Sequence, residues 1–568
     1  MAPHGPAGAS DLGALRAEVS AWLDDEPDQA DHAELRRLLD ELPGSAAELA
    51  DRFAGPLAFG TAGLRGPLRA GPNGMNLQVV TRAAAGLVDW LAGSGPAGPI
   101  VIGYDARHRS REFAVRTAEV ATGAGRDAYL LPGPLPTPVL AYAVRALDAA
   151  AGVMVTASHN PPQDNGYKVY LGAGPGGVAG AGAQIVPPAD RQIEAAIRAV
   201  GRLADVPLGG PGRILDDEEV AGYLRAASAV VDPVGARKLT VAYTPLHGVG
   251  AAVLREAFTM AGFEAPIAVA EQAEPDPEFP TVAFPNPEEP GAMDRVVAVA
   301  RAHDADLAIA NDPDADRCAV AVPVRPGPGA DWRMLRGDEL GVLLADHLMR
   351  QGRHGRYATT IVSSSLLRAL CAARGEPYAE TLTGFKWIVR AGGDLAEGAD
   401  VPLVFGYEEA LGYCVAPDHV RDKDGITAAL TVAELAAGLK AAGQDLSDRL
   451  DELAAEFGVY QTDQLSVRVA ESSEIATAMA YLRANLPAAL LGEPVTSVED
   501  LSPGADVVIL RTGTARVVVR PSGTEPKLKA YLEVVRPVVD GDTAAARQEA
   551  GAALARLRTE AAVALNIS

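Results

Sequence analysis

Three stretches of the 568-residue chain alternate short apolar runs with helical patterns. The first begins near residue 99, where PIVIGYD is followed by a helical stretch from Glu112 to Gly123, the run DAYLL, a helix after Pro138, and the apolar segment Ala149 to Val155. KLTVAYTPLHGVGAAVLREAF opens the second at Lys238, and YATTIVSSSLLRALCAARG opens the third at Tyr357. Repeated strand–helix units predict largely parallel sheets covered by helices. The last hundred residues differ. TARVVVR and LKAYLEVV flank a short loop and precede a helical stretch near 543–564, which predicts a smaller α+β domain. At the other end, Leu12, Leu15, Val19 and Leu23, then Leu35, Leu38, Leu39 and Leu42, recur at helical spacing and predict a helical lead-in packed on the first domain. One core cannot serve such a chain, since single cores stop growing beyond roughly 250–300 residues.

Linkers are expected near 205–215, 323–333 and 455–462, where Pro, Gly or polar residues collect. Residues 172–183 contain a formal G-x-G-x-x-G, but more Gly and Ala follow it rather than an apolar helix, so it reads as a flexible surface loop and not a dinucleotide site.

The polar loops after the apolar runs carry the chemistry. Ala149 to Val155 reads as a strand buried on both faces, and Thr156-Ala157-Ser158-His159-Asn160-Pro161-Pro162 follows it. The two prolines fix φ and remove two donors, so no regular helix continues there. Asp164-Asn165-Gly166 reads as a tight hairpin turn before Tyr167-Lys168-Val169-Tyr170-Leu171 resumes as a strand. Ser158 is thus a hydroxyl on a stiff loop, beside His159 and ten residues before Lys168. Taken alone, a Ser-His pair is as well explained by an ordinary polar turn.

DLAIA leads in the same way into Asn311-Asp312-Pro313-Asp314-Ala315-Asp316-Arg317. Three carboxylates at alternate positions repel one another unless a cation joins them, and an all-oxygen set suits Mg²⁺. No EF-hand fits, because Gly is absent at the sixth position and Pro323 stands where the bidentate Glu belongs. A solvated Asp-rich turn is the plain alternative. Between two strands, Arg520-Pro521-Ser522-Gly523-Thr524-Glu525-Pro526-Lys527 can offer successive N–H groups and two hydroxyls to a phosphate, with Arg520 and Lys527 flanking; otherwise it is a simple hairpin connection. Glu408, on a loop between aromatic residues after VPLVF, can accept hydrogen bonds from two sugar hydroxyls.

The net charge of −24 disfavours nucleic acid and anionic membranes as partners, so small molecules are expected instead. No uncharged apolar stretch reaches membrane-spanning length and the N-terminus lacks a secretory pattern, so a cytoplasmic location is expected. Cys318, Cys371 and Cys414 are too few and too far apart for a disulfide framework or a cysteine zinc site.

Together TASHNP, NDPDADR, the Glu408-Glu409 loop and RPSGTEP resemble the signatures of the α-D-phosphohexomutase superfamily, the phosphoglucomutases and phosphomannomutases, in the family's order and spacing. FGTAGLRG at 59–66 is similar to its N-terminal signature, and the resemblance covers roughly residues 55–535. Length and wording are most similar to the longer branch with phosphoglucomutase-2-like and phosphopentomutase enzymes. The resemblance implies an isomerase of three consecutive mixed α/β domains plus the smaller C-terminal α+β domain around a central cleft. It implies a lead-in over 1–50, a phosphoserine domain over 51–212, a metal-binding domain over 213–325, a sugar-binding domain over 326–457 and a phosphate-binding domain over 458–568.

It also implies roles. Ser158 is the phosphoserine; one of its phosphoryl oxygens, with Asp312, Asp314 and Asp316, holds one Mg²⁺. His159 and Lys168 handle the hydroxyl proton, while Arg65 and Arg317 stabilise the moving phosphoryl group. Lys168 could act as a base at neutral pH only if burial or neighbouring cations lowered its pKa. Gly384, Phe385, Lys386 and Glu408 read the sugar. Arg520, Ser522, Gly523, Thr524 and Lys527 hold the phosphate already present, and a sugar 1,6-bisphosphate is the intermediate and activator. Ala410 stands where hexose mutases commonly show Ser, which leaves glucose, mannose and pentose phosphates as candidate substrates. Three rivals make different demands: a serine hydrolase would pair Ser158 with a distant His and Asp such as His247 and Asp105, a phosphatase would use Asp312 as nucleophile, and a non-catalytic binding protein would hold sugar phosphates without isomerising them.

Overall fold

A computed structural model describes residues 9–60, 63–94, 98–324, 330–391, 401–469, 472–522 and 527–566. They fall into two compact units, Met1–Arg333 with Tyr413–Glu434, and Met334–Gly412 with Leu435–Ser568.

The first unit contains a seven-stranded sheet in the order Gly63–Pro67, Asp164–Leu171, Ala151–Val155, Ile100–Tyr104, Ala128–Leu130, Arg213–Ile214, with Ala183–Gln184 paired to the second of these. The strands from Ala151–Val155 to Arg213–Ile214 run parallel, and Asp164–Leu171 is antiparallel to both its neighbours. Every residue of Ile100–Tyr104 and Ala151–Val155 is buried, as strands covered on both faces must be. Leu87 and Leu91 of the helix Leu77–Ser94 and Phe113 and Ala118 of Ser110–Gly123 pack on Ile100, Ile102, Val153 and Val155. In a second sheet Leu307–Ala310 lies parallel to Val241–Thr244 and antiparallel to Ala319–Pro323.

The lead-in is three helices, Ala9–Leu23, Gln29–Asp40 and Ala46–Arg52. Val19, Leu35, Leu38 and Leu49 form their core with Phe53 and Ala70, and Asp28 and Asp31 grip Arg109 of the first domain. Here Glu26 is mostly buried, accepting from Trp22 Nε1 at 3.1 Å and Asp28 N at 3.1 Å, and burial pushes its pKa up to about 7. A carboxyl that binds its proton more tightly when folded stabilises the fold as pH drops from about 7 towards its unfolded value, by at most about 3 kcal/mol. Glu26→Gln, which keeps only one of the two acceptor oxygens, is expected to flatten the dependence of the melting temperature on pH, as read by thermal unfolding at pH 5 and pH 8.

In the second unit, Tyr378–Thr381, Arg356–Thr360 and Leu403–Glu408 pair in parallel. A five-stranded antiparallel sheet runs Val459–Arg468, Lys527–Arg536, Ala515–Pro521, Val508–Arg511, Ser497–Asp500. Helix Thr543–Ala564 buries Ala553, Leu554, Leu557 and Ala561 against it. The two sheets are joined through the segment after Thr360. Ile361 and Val362 pack with Val507, Ile509, Val518 and Tyr531. Buried Glu533 accepts from Ser364 Oγ at 2.8 Å and from Ser365 N and Oγ at 2.7 Å each. Arg516, 3.3 Å from Glu533, donates to the carbonyls of Ile361 and Ser363.

Helix-covered sheets with parallel strands, followed by a smaller antiparallel sheet packed on a helix, match the expected fold class. Two local expectations fail. Asp164-Asn165-Gly166 is not a turn but the start of an eight-residue strand, because it pairs with Arg65, Gly66 and Pro67 of the first strand while Thr156 N donates to Gly166 O, and the reversal falls earlier, at 157–163. Residues 455–462 are no linker: helix Leu446–Phe457 passes into strand Val459–Arg468 through Gly458 alone, at φ 93°. The stretch 205–215 runs as expected between helices Ala189–Ala199 and Glu218–Ser228, with only the two-residue edge strand Arg213–Ile214 in it. Residues 172–183 include a helical turn, Ala173–Gly176. No single helix among the described residues is long and apolar enough to cross a membrane.

Candidate active site

Two strand ends of the first unit meet. At Val155 the chain leaves the first sheet into the turn that holds Ser158, whose φ of 52° lies in the left-handed region and costs a non-glycine residue on the order of 1 kcal/mol. At Ala310 it leaves the second sheet into the Asp-rich turn, where Ala315 also has a left-handed φ, 53°, and its N–H closes on Asp312 O at 2.8 Å. Gly248 lets the second turn seat, since a Cβ there would stand 2.3 Å from Pro313 Cα. These turns bring Ser158 Oγ to 2.7 Å from Asp312 Oδ2 and 3.3 Å from His159 Nδ1.

Asp312, Asp314 and Asp316 are fully buried, and one carboxylate oxygen from each lies within 4.8 Å of the others. Thr137 Oγ1 donates to Asp314 Oδ2 at 2.6 Å. Lys168 Nζ donates to Asp314 Oδ2 at 2.6 Å and Asp316 Oδ2 at 3.0 Å, and Lys423 Nζ stands 3.2 Å from Asp316 Oδ2. Asp314 Oδ1 and Asp316 Oδ1 are buried with no hydrogen-bond partner. Buried, crowded, oxygen-only and with acceptor capacity to spare, the set fits a hard divalent cation.

Electrostatics sort these groups. Burial, then the charges of Asp314 and Asp316, push Asp312 up to about 8. Burial acts on Asp316 in the same sense, but Lys168, Lys423 and Arg317 outweigh it and hold that carboxyl well below the usual range. Burial alone would lower Lys168; Asp314 and Asp316 more than offset it, so the ammonium is favoured. The lowered pKa that a basic Lys168 requires is therefore not found, because carboxylates and not cations dominate its surroundings. His159 is pushed far below its ordinary value by burial and by the neighbouring Arg317 and Arg65, and is neutral.

The register of the first sheet explains the place of Arg65. Gly63 pairs with Lys168 and Arg65 with Gly166, so Arg65 and Lys168 lie diagonally on one face. Arg65 Nη1 donates to Asn160 Oδ1 at 3.2 Å. Arg317 donates its backbone N–H to Asp312 Oδ1 at 3.0 Å, its guanidinium lying 3.9 Å from the same carboxylate. His247 and Asp105, the partners a hydrolase would need, are engaged elsewhere: His247 Nε2 with Thr281 Oγ1 at 2.8 Å, Asp105 Oδ1 with Ser110 Oγ at 2.6 Å.

In the second unit Glu408 ends the strand Leu403–Glu408, and its neighbour Glu409 is fixed by Ser363 Oγ at 3.0 Å and Thr360 Oγ1 at 3.3 Å. Gly384, at φ 111°, starts the short helix in which Phe385 and Lys386 are buried. Arg520 is the penultimate residue of the strand Ala515–Pro521, and Ser522 N donates to Lys527 O at 2.8 Å, closing the hairpin. Tyr531 links the two groups: burial and then Glu409 raise its pKa, against a hydrogen bond with Arg520, and Glu408 also acts on it. Gly523 and Thr524 lie outside the described residues.

Sequence reading missed Lys423 and Thr137. For Lys423 a signal existed: Arg421-Asp422-Lys423-Asp424 is a charge run directly ahead of the apolar GITAALTVAEL, and such a run is buried only if its charges are paired. Thr137 reaches Asp314 only through the fold and leaves no mark in sequence.

Comparison with known proteins matches the four phosphoglucomutase/phosphomannomutase domains in order: α/β/α domains I, II and III over residues 56–202, 221–325 and 336–457, and the C-terminal domain over 465–549. A "Probable phosphomannomutase" of Haemophilus influenzae is 46% identical, over 81% of this chain and 93% of its own. A human phosphopentomutase is 33% identical over 96% of each chain, and a Staphylococcus haemolyticus phosphoglucomutase 34% identical over 85% and 91%. The solved structure of a phosphoglucomutase/phosphomannomutase family protein from Burkholderia thailandensis shares the fold, with a TM-score of 0.66 at 20% identity over 88% of this chain and 96% of that one.

Proposed function

Because the chain belongs to the phosphoglucomutase/phosphomannomutase family, and is thus a phosphosugar mutase of the isomerase class, we propose that it interconverts glucose 1-phosphate and glucose 6-phosphate through a phosphoserine at Ser158 and a sugar 1,6-bisphosphate. The observation that carries this reading is the 2.7 Å approach of Ser158 Oγ to Asp312 within the buried aspartate cluster. A hydroxyl on a left-handed turn beside three carboxylates is arranged for phosphoryl transfer and not for acyl chemistry.

Asp312, Asp314 and Asp316, with an oxygen of the seryl phosphate, would hold Mg²⁺, which when bound neutralises charge on the phosphoryl group. In the transfer the P–Oγ bond of Ser158 breaks and a bond from phosphorus to the sugar hydroxyl forms. Neutral His159 is suited to accept the proton leaving that hydroxyl, and ammonium Lys168 to return one towards the serine oxygen. Arg65 and Arg317 stabilise the phosphoryl oxygens in passage. Arg520, Ser522, Gly523, Thr524 and Lys527 bind the phosphate already on the sugar, while Glu408 with Gly384, Phe385 and Lys386 reads its hydroxyls. After the bisphosphate turns over, the other phosphoryl group returns to Ser158 and the positional isomer leaves.

One observation favours a second reading of the substrate: the 46% identical relative bears the name phosphomannomutase, and Ala410 removes a hydroxyl from the sugar loop. Purified protein with Mg²⁺ and a trace of glucose 1,6-bisphosphate is expected to equilibrate glucose 1- and 6-phosphates, followed by ³¹P NMR. Mannose, ribose and deoxyribose phosphates run in parallel give the order of preference. Faster turnover of any of these replaces glucose as the main substrate, and net release of phosphate from all of them defeats the mutase reading.

A further inference from the structure

The turn that carries Ser158 is held from beneath by one side chain. Arg107 follows the strand Ile100–Tyr104, and its guanidinium is buried. Nη2 donates to Ser158 O at 2.6 Å and to Asn160 O; Nη1 donates to Pro161 O at 2.8 Å and to Asp164 O at 3.2 Å. Four carbonyls between 158 and 164, in a segment where two prolines and a left-handed serine prevent regular structure, thus receive hydrogen bonds from a single planar group. The remaining N–H, on Nε, faces Asp105 Oδ2 at 3.4 Å. The ring of Phe279 covers the guanidinium, 4.9 Å from its carbon. Asp105 in turn accepts from Arg107 N at 3.0 Å, and Ser158 N donates to Thr156 Oγ1 at 2.9 Å.

This arrangement distinguishes Arg107 from the other arginines nearby. Both hydrogens on each terminal nitrogen are committed to main-chain oxygens, so none is left for a phosphoryl oxygen, unlike a guanidinium that binds phosphate as a bidentate fork. We propose that Arg107 is a positioning residue for the phosphoryl-transfer step, fixing where Ser158 points by clamping the backbone of its turn without touching substrate. The inference rests on the reading of Ser158 as the phosphoryl carrier. In-line transfer depends on placement to within an ångström, and a displacement of that size costs about 10²-fold in rate.

The test compares wild type, Arg107→Lys and Arg107→Ala in mutase turnover and in phosphoserine formation from glucose 1,6-bisphosphate, followed by intact mass. Arg107→Ala is expected to lose about 10²-fold in kcat with KM for the sugar phosphate little changed. Millimolar guanidinium should restore part of that rate by reoccupying the four-carbonyl socket. Arg107→Lys keeps the buried charge but as a point donor, so it should fall between the two and also serve if the Ala variant does not fold. Equal kcat in all three overturns the clamp, as does a loss that follows the folded fraction and is not rescued by guanidinium. A wild-type protein that never acquires a phosphoryl group at Ser158 fails the underlying reading instead, a result told apart because no variant is needed to see it.

Discussion

Ser158→Ala is expected to lower sugar-phosphate interconversion at least about 10⁴-fold and to abolish phosphoryl capture by the protein, because a nucleophile has no substitute once its oxygen is gone. The rest of the turn should survive the change. The contacts that shape it, from Arg107 to the carbonyls of Ser158, Asn160, Pro161 and Asp164, are made to main chain and do not involve Oγ. A melting temperature lowered by no more than the lost Oγ–Asp312 hydrogen bond accounts for, with lost turnover, is therefore the expected pair of readings. The outcome that would sink the assignment is retained turnover with phosphate release, the behaviour of a phosphatase using Asp312.

The second large effect concerns the metal. Asp314→Ala, or chelation of the wild type, is expected to reduce turnover at least about 10³-fold, since charge neutralisation by a bound divalent ion contributes several kcal/mol to phosphoryl transfer. Asp314 is the most informative of the three carboxylates. Its Oδ2 is already taken by Thr137 and Lys168, while its Oδ1 is buried without a hydrogen-bond partner. Mn²⁺ binding followed by electron paramagnetic resonance should weaken in parallel with turnover. Full activity in excess EDTA would remove Mg²⁺ from the scheme.

How much of this was written in the sequence depends on the range of the interaction. Apolar runs such as Ile100–Tyr104 and Ala151–Val155 were legible because burial on both faces leaves a continuous apolar signature. Ser158 and the three aspartates were legible because polar residues that follow buried strands collect where ligands bind in α/β sheets. Asp164-Asn165-Gly166 misled, since local turn propensity is weak beside a ladder with Arg65, Gly66 and Pro67, a strand about a hundred residues earlier. The protonation of Lys168 could not be read at all: it is set by Asp314 and Asp316, some 150 positions away, and only folding brings them within 3.0 Å. Thr137, donating to Asp314 from 177 residues earlier, was invisible for the same reason.

Glu533 bears on how such a protein can be rebuilt. It lies in the C-terminal sheet, yet its acceptors are spent on Ser364 and Ser365, beside the Ser363 that steadies Glu409. A C-terminal domain transplanted from a relative would bring a carboxylate into a socket cut for it only if the recipient kept those serines; otherwise Glu533 retains Arg516 but loses its hydrogen bonds from Ser364 and Ser365, at roughly 1.5–3 kcal/mol each. Recombination between such enzymes is thus expected to succeed when the crossover carries residues 360–365 along with the final hundred, and inheritance of the two pieces is tied together.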